Sequence, residues 1–127
     1  MAFAVGSDGI ILKYENDLWF PIISGEQYSL NTVCFFNDTT GIAAGFGGSI
    51  MRTDDAGENW NIHIPDSSLV FNALDFPSEN TGYLVGNKGV IVKTEDAGLS
   101  WNKISPDTII FNYNAVRFFN DTIGYGQ

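Results

Sequence analysis

The chain has few of the residues that build disulfides, metal sites or nucleic-acid surfaces. Its single cysteine, Cys34, allows no internal disulfide, and with the single histidine, His63, it offers no Cys/His cluster for catalysis or metal binding. We expect Cys34 to be a small filler in a strand. Only six lysines and arginines accompany 15 acidic residues, so the net charge is −9 and the pI about 4.1. Nucleic acid and anionic membrane surfaces would repel such a chain and are not expected as partners.

Long apolar runs and helical periodicity are also missing. No stretch approaches the length of a transmembrane helix, and the N-terminus lacks the basic segment and apolar core of a signal peptide. No segment repeats apolar residues at helical spacing for three turns, so we expect little or no helix. Hydrophobic residues nevertheless make up 44% of the 127 residues, which is enough for a core and argues against disorder.

Two near-identical phrases end in tryptophan, TDDAGENW over residues 53–60 and TEDAGLSW over 94–101. They lie 41 residues apart, and Trp19 precedes Trp60 by the same distance. A fixed period of this length indicates a repeat architecture. The first copy lacks the acidic turn, because its segment 14–19 is two residues shorter and keeps only the tryptophan.

Each repeat contains four short runs rich in β-branched and aromatic residues, which predict four strands joined by tight turns. In the first strand A, Val33 and Phe35 alternate with Thr32 and Cys34, as in a half-buried strand. Four antiparallel strands in such a repeat favour a β-propeller blade, which must bury its faces against neighbouring blades. The predicted strands are A (31–36, 71–76, 113–118), B (2–5, 42–45, 83–86), C (10–13, 49–53, 90–94) and D (18–23, 59–64, 100–104).

We therefore predict an all-β chain that forms one partial β-propeller of about three four-stranded antiparallel blades. Propellers need roughly four to eight blades, and the chain begins and ends at the same phase of the repeat, which indicates a fragment of a longer protein. Either further blades or self-association would close the ring, and two copies would give about six blades. The predicted divisions are 1–30 (B-C-D), 31–70 and 71–111 (both A-B-C-D), and 112–127 (A and the start of B).

Other repeat types and ligand-binding loops match the sequence less well. Leucine-rich repeats need a leucine ladder, and WD-type blades need Gly-His and Trp-Asp pairs that the chain lacks. The acidic turn at 54–57 has neither the alternating acids nor the flanking helices of an EF-hand. The glycine-rich stretches at 45–48 and 86–89 are not followed by a helix, as a phosphate-binding loop requires, so we interpret them as tight B–C hairpins.

The two acidic phrases match the Ser/Thr-x-Asp-x-Gly-x-x-Trp pattern and resemble the Asp-box of bacterial neuraminidase repeats. Together with the preceding Gly-x-Ile-x-x-Thr strands, they make the whole chain similar to the photosystem II assembly factor-like propellers, many of them surface or secreted proteins. In such a turn the aspartate accepts backbone hydrogen bonds, the glycine adopts positive φ and the tryptophan packs on the blade. The resemblance implies a structural role, away from the binding face, for Thr53, Asp55, Gly57, Trp60, Thr94, Asp96, Gly98 and Trp101.

Enzyme activity is not expected of these residues. Neuraminidase catalysis would require three convergent arginines, a tyrosine nucleophile and carboxylates, whereas Arg52 and Arg117 occupy different repeat positions. We predict no catalytic residue, no metal and no cofactor. The alternative is part of a neuraminidase-like carbohydrate-active enzyme or lectin whose active-site residues lie outside this chain, and a structural spacer is a third interpretation.

We expect a non-catalytic interaction scaffold that binds a protein or a glycan through the loop face opposite the Asp-boxes. That face consists of the D–A connections and the B–C turns, where loops on a rigid scaffold usually carry function. Its aromatic rings can stack on a sugar or a peptide, and its carboxylates favour a cationic partner. The resemblance favours an extracytoplasmic location. The candidate ligand-binding residues are Tyr28, Phe46, Asp66, Asn87, Lys88 and Asp107, with Asp8 weaker.

Overall fold

The computed structural model describes residues 1–22, 25, 28–105, 112–120 and 123–126. Within these residues the regular structure is β-strand apart from three single turns of 3₁₀ helix. The strands form successive antiparallel sheets, each ordered along the chain, which confirms the predicted all-β blade fold. No helix in this part of the chain could cross a membrane.

The sheets follow the order of the repeat. Blade 1 contains β1 (Ala2–Val5), β2 (Ile11–Glu15) and β3 (Leu18–Ile22). Blade 2 contains β4 (Leu30–Phe35), β5 (Gly41–Gly45), β6 (Ile50–Thr53) and β7 (Asn61–His63). Blade 3 contains β8 (Phe71–Asp75), β9 (Gly82–Gly86), β10 (Ile91–Thr94) and β11 (Asn102–Lys103), and half-blade 4 contains β12 (Val116–Asn120) and β13 (Ile123–Gly126).

The outer D strands are shorter than predicted. Strands were expected over 59–64 and 100–104, but β7 and β11 begin only after the two tryptophans. The reason is the acidic turn, whose aspartate carboxylate accepts the backbone N–H of Asn59 in one copy and of Ser100 in the other. These backbone groups are therefore committed to the turn and cannot extend the ladder.

Strand A of half-blade 4 also differs from the prediction. It begins at Val116 rather than at 113, and the N–H of Tyr113 bonds to the carbonyl of Gly86 in blade 3. The sequence predicts only the start of strand B after it, and in the structure β12 is paired with β13, Val116 opposite Gly126. Among the described residues blade 1 has no strand A, and β12 of a second copy could supply one only if β13 left it.

The cores lie between the blades. One core joins blades 1 and 2 and contains Ile11, Met51 and Trp60, with Val33 and Phe35 packed against it. A second joins blades 2 and 3, and there Cys34 of the same strand and Phe36, just after it, are partly buried. The predicted alternation of strand A is confirmed, but both of its faces are covered, because each faces a neighbouring blade. The second core is built from Ile42, Ala44, Ile50, Phe71, Leu74, Leu84, Val90 and Val92.

Repeated asparagines connect the A strands of successive blades. The Asn31 side-chain amide donates a 2.8 Å hydrogen bond to the carbonyl of Phe71, and Asn72 donates one of the same length to the carbonyl of Tyr113. Each bond satisfies a carbonyl of the next blade and fixes the spacing between neighbours. The sequence showed these asparagines at equivalent positions, but their partners, 40 and 41 residues away, were not visible in it.

Trp19 keeps its place in the repeat but not the environment of the other two tryptophans. The β2–β3 hairpin turns through Asn16 and Asp17 at φ values of 55° and 66°, as in a type I′ turn. Trp19 lies directly opposite Tyr14, with ring centroids 5.1 Å apart, and is exposed. The shorter hairpin lacks an acidic turn, and its tryptophan lies on the surface of β3.

Candidate functional site

The two Asp-box turns have the same hydrogen-bond network. Asp55 accepts the backbone N–H of Asn59 at 2.9 Å and the hydroxyl of Thr53 at 2.8 Å, and Asp96 accepts those of Ser100 and Thr94, each at 2.8 Å. Bonds from Asn59, its backbone N–H first, lower the pKa of Asp55 to about 2. Bonds from Ser100, its hydroxyl first, lower the pKa of Asp96 to about 2. Both carboxylates are thus engaged by the turn itself.

The glycine and the tryptophan complete each turn. Gly57 and Gly98 have φ values of 85° and 86°, and their N–H groups donate to the threonine hydroxyls at 3.0 and 2.8 Å. Residues that carry a side chain rarely adopt such positive φ, so glycine is required at both positions. The Trp60 indole donates a 3.0 Å bond to the carbonyl of Gly57. The equivalent N–H of Trp101 is buried and finds no acceptor in the described part of the chain.

The Asp-box of blade 2 also packs against blade 1. A methyl group on Gly57 would lie 2.5 Å from Cε2 of Phe3, so only glycine permits this approach. Next to it, Oε1 of Glu58 is 3.5 Å from Nζ of Lys13. The rings of Phe3 and Phe35 stack at 4.3 Å, and Trp60 meets both edge-on. The turn therefore joins blades as well as strands C and D.

The Asp-box of blade 3 packs against blade 2 at the equivalent place. A methyl group on Gly98 would lie 2.6 Å from Cδ1 of Ile42. The carbonyl of Ala97 accepts a 2.9 Å bond from Nε of Arg52. Sequence analysis missed these contacts with Lys13 and Arg52. One feature of the sequence could have indicated them: a cation recurs in strand C of every copy, at Lys13, Arg52 and Lys93.

The B–C turns lie at the other end of strand C from the Asp-boxes. In blade 2 this turn is Phe46–Gly48, and the Tyr28 ring lies so close to Gly47 that an added methyl would be 2.7 Å from its Cδ2. The carbonyl of Asp66 lies against Gly48 on the other side. Three of the predicted ligand-binding residues, Tyr28, Phe46 and Asp66, are thus arranged around one turn.

Asp66 is held in the loop between blades 2 and 3. Its Oδ1 accepts the hydroxyl of Ser68 at 2.7 Å and the backbone N–H of Ser68 at 2.9 Å. These bonds, the hydroxyl first, lower the pKa of Asp66, and the positive charges of Lys103 and Lys88 contribute in the same direction. Asp66 is therefore an ionised carboxylate at neutral pH on this end of the blades.

The other predicted residues are placed differently. Asn87 and Lys88 belong to the B–C turn of blade 3, but the Asn87 carboxamide oxygen already accepts a 2.9 Å bond from Asn72. The Lys88 backbone N–H is bound by the Asn112 side chain at 2.9 Å. Asp8 occupies the equivalent turn of blade 1. Asp107 lies outside the described residues.

The described residues hold no group of three or more His, Cys, Asp or Glu that could bind a metal. Arg52 is directed to the Asp-box end, where its Nη1 is also 3.6 Å from Oδ2 of Asp54. Two surface cavities of about 130 and 230 Å³ are smaller than the usual pocket of an enzyme for small molecules. One is lined by His63 and Leu99, and the other by Phe3 and Cys34.

Solved structures that share this fold include two of YCF48 and one of an enzyme. The chain has 23% identity and a TM-score of 0.68 with a structure described as YCF48 bound to D1 peptide, covering 76% of this chain and 32% of that one. With YCF48 from Cyanidioschyzon merolae the identity is 13% and the TM-score 0.72, over 99% and 47% of the two chains. An ancestral GH74 enzyme has 13% identity and a TM-score of 0.74, over 91% and 18%. The chain thus spans less than half the length of each structure.

No curated protein shows significant similarity to the chain. The family model described as photosynthesis system II assembly factor YCF48 matches residues 18–111, a range that includes both Asp-boxes and the complete blades 2 and 3. Because this match covers most of the sequence, the chain belongs to the photosynthesis system II assembly factor YCF48 family.

Proposed function

We propose that this chain is a non-catalytic propeller scaffold that binds an extended segment of a partner protein on its B–C turn face. The observation that carries the proposal is a pair of exposed aromatic side chains beside each other at one B–C turn. Tyr28 is 56% exposed with its ring against Gly47, and Phe46, next to that glycine, is 46% exposed. Aromatic rings held on a fixed backbone are frequent anchors of protein-binding surfaces.

Charge favours a cationic partner segment. The carboxylate of Asp66 is ionised at neutral pH and its backbone packs against the same turn, at Gly48. The net charge of −9 adds a long-range attraction for basic segments. Lys88 provides one positive charge on the next turn, so the face carries both signs and can orient a ligand.

The comparisons support a peptide more than a glycan. The structure described as YCF48 bound to D1 peptide carries a peptide ligand, and YCF48 is also the family whose model matches this chain, whereas the ancestral GH74 enzyme is similar in fold alone. Arg52, which a neuraminidase-like site would need, is instead bonded to the Asp-box of blade 3. We extend the proposal to an extracytoplasmic location, which rests on the family resemblance alone.

The test is a titration of the chain with defined ligands. Calorimetry measures the binding, and changes in amide chemical shifts show which residues are affected. The ligands are a basic peptide of alternating arginine and leucine, an acidic peptide of alternating glutamate and leucine, and a sialylated trisaccharide. We expect the basic peptide to bind and the Phe46→Ser and Tyr28→Ser variants to weaken it about tenfold. Leu99→Ser removes an even more exposed apolar side chain from the opposite face and should change nothing.

Three results would contradict the proposal. One is binding of the trisaccharide alone, which would favour the lectin alternative. Another is binding of the basic peptide with shift changes confined to residues 54–58 and 95–99. The last is an equal effect of the Leu99→Ser and Phe46→Ser variants.

A further inference from the structure

A groove lies between blades 2 and 3, beside the edge strand β7. One side is formed by blade 2, with Ile50 and Arg52 on β6 and Asn61 and His63 on β7. The other side is the Asp-box turn of blade 3, which contributes Leu99. The groove encloses about 130 Å³, much less than the pockets that hold drug-sized molecules, so its ligand must be small.

The blade 2 side of the groove is a single face of the sheet. Arg52 lies directly opposite Asn61, and Ile50 lies directly opposite His63. Side chains at directly opposed positions project from the same face, and so do alternate residues of one strand. Ile50 belongs to the core between blades 2 and 3, so all four side chains face blade 3. The groove therefore has a guanidinium, an amide and an imidazole beside an apolar floor.

Blade 1 carries large apolar residues at the positions of Asn61 and His63. Phe20 occupies the position of Asn61, and Ile22 occupies that of His63, in the register with strand C. Ile22 packs against the core between blades 1 and 2. Among the described residues, the side chains of Asn61 and His63 make no hydrogen bond, so both are available to a ligand.

The wall that blade 3 presents to Arg52 is uncharged, unlike its counterpart between blades 1 and 2. There Glu58 follows the glycine of the Asp-box and lies 3.5 Å from Lys13. In blade 3, Leu99 follows the glycine and is 69% exposed. Within the described part of the chain, blade 3 thus brings a backbone carbonyl to Arg52 but no carboxylate.

Arg52 keeps one donor group for a ligand. Its Nε donates to the carbonyl of Ala97 at 2.9 Å, and its Nη1 lies 3.6 Å from Oδ2 of Asp54. Nη2 has neither a hydrogen bond nor an ion pair among the described residues. The Arg52 side chain is 18% exposed. A guanidinium that is partly withdrawn from water binds an anion more strongly than a fully exposed one does.

We infer that the groove between blades 2 and 3 binds a small branched aliphatic carboxylate. Its carboxylate would accept hydrogen bonds from Arg52 and Asn61, because a guanidinium matches the geometry of a carboxylate. Its aliphatic tail would lie between Leu99 and the floor at Ile50, where apolar surface leaves water. The net charge of −9 attracts no anion at long range, so these local contacts must supply the affinity.

The same chemistry occurs in two sources, a free branched-chain acid and the C-terminus of a chain that ends in leucine. The groove lies at the Asp-box turn of blade 3, whereas the proposed protein ligand binds the B–C turns at the other end of strand C. The inference therefore does not depend on that proposal, and the two can fail separately.

The test is a titration of the full chain, followed by amide chemical shifts, with 4-methylpentanoate and its uncharged amide. We expect the acid to bind with a dissociation constant in about the millimolar range, as suits so small a ligand. The shift changes should centre on Asn61, His63 and Leu99. The amide should bind about tenfold more weakly, because it lacks the charge that Arg52 recognises.

Two variants restore residues that the chain carries at the equivalent positions of other blades. Asn61→Phe installs the residue of blade 1 and should fill the groove, and Leu99→Glu installs the residue of blade 2 and should repel the anion. Each should weaken binding of 4-methylpentanoate about tenfold or more. Asn102→Phe makes the change of Asn61→Phe at the equivalent position of blade 3 and should leave binding unchanged. Circular dichroism and the thermal transition establish that all three variants are folded.

Acetyl-Ala-Ala-Leu with a free C-terminus distinguishes the two sources. Tighter binding of this peptide than of 4-methylpentanoate assigns the groove to a chain terminus, and weaker binding assigns it to a free acid. Absence of binding by both at about 20 mM would overturn the inference, and so would equal binding of the acid and its amide. A loss with Asn102→Phe as large as that with Asn61→Phe would also overturn it.

Discussion

The carbonyl oxygen of Ala97 accepts a 2.9 Å hydrogen bond from Nε of Arg52, which ties the Asp-box of blade 3 to strand C of blade 2. The Asp-box therefore acts between blades as well as within one. Neither residue has this partner in an isolated blade, so part of the stabilisation exists only when blades are stacked. This agrees with the general behaviour of repeat proteins, in which neighbouring units supply much of the stability.

Removing that bond should loosen blades 2 and 3. We expect Arg52→Met to lower the free energy of unfolding by about 1–2 kcal/mol, because the Ala97 carbonyl loses a charged donor. Arg52→Lys should cost less, since Lys13 fills the same position in blade 1. Urea denaturation of these variants measures the effect. Lys88→Met is the control, and a loss as large as that of Arg52→Met would contradict an explanation based on this bond.

The two box tryptophans should respond differently to phenylalanine. Trp60→Phe removes a hydrogen bond of 3.0 Å to the carbonyl of Gly57, whereas Trp101→Phe removes a buried donor without an acceptor in the described residues. We therefore expect Trp60→Phe to cost about 1 kcal/mol more than Trp101→Phe. Alanine at either position should cost roughly 3–5 kcal/mol through lost burial and a cavity. Urea unfolding, monitored by circular dichroism, measures the stability of the two phenylalanine variants. A larger loss of stability for Trp101→Phe than for Trp60→Phe would contradict the prediction.

The turn carboxylates should make stability depend on pH in acid. The folded pKa values of Asp55 and Asp96 are lowered to about 2 from 3.8, so their contribution is complete above about pH 4. It is lost as the pH falls from about 4 to about 2. We expect the unfolding midpoint to fall across this window by more in the original chain than in an Asp55→Asn, Asp96→Asn double variant. A control variant, Glu79→Ala, changes an exposed acid outside the turns. Its unfolding midpoint should depend on pH as that of the original chain does.

The isolated chain should not persist as a monomer of 13.9 kDa. β1 and β13 lie at sheet edges, and unpaired edges are templates for association with another chain. Because β12 is already paired with β13, association should occur through these edges rather than through exchange of β12. Light scattering of the purified chain should show a dimer or larger species. A soluble monomer that unfolds cooperatively would refute this expectation.

Much of the fold follows from local patterns. The predicted strand B at 2–5 is observed as Ala2–Val5, and the predicted strand C at 49–53 is observed as Ile50–Thr53. These strands are bounded by turn-forming residues and carry β-branched or aromatic side chains, so neighbouring residues are sufficient to define them. The ends of the D strands were wrong, because hydrogen bonds to the side chains of Asp55 and Asp96 compete with the ladder.

The candidate ligand face was only partly visible in the sequence. The turn type placed Phe46 and Lys88 correctly on B–C turns, but the contact of Tyr28 with Gly47 depends on how the preceding loop folds back. Asn87 was offered as a ligand-binding residue although its carboxamide is bonded to Asn72. A single sequence cannot distinguish an asparagine that faces solvent from one that bridges two strands.

The sequence by itself determined the repeat, the blade fold and the residues of the Asp-box, because each strand and turn is encoded within a few consecutive positions and recurs at a fixed period. The tertiary structure decided which surfaces the repeats cover. Glu58 reaches Lys13 and Ala97 reaches Arg52 across 45 residues, and such pairs form only when one blade packs on the next. Trp19 illustrates the difference between the two, since its position in the repeat can be read from the sequence alone. Its exposure depends on tertiary packing, because Trp60 is buried against Phe3 of the preceding blade and Phe35, and no described blade precedes Trp19.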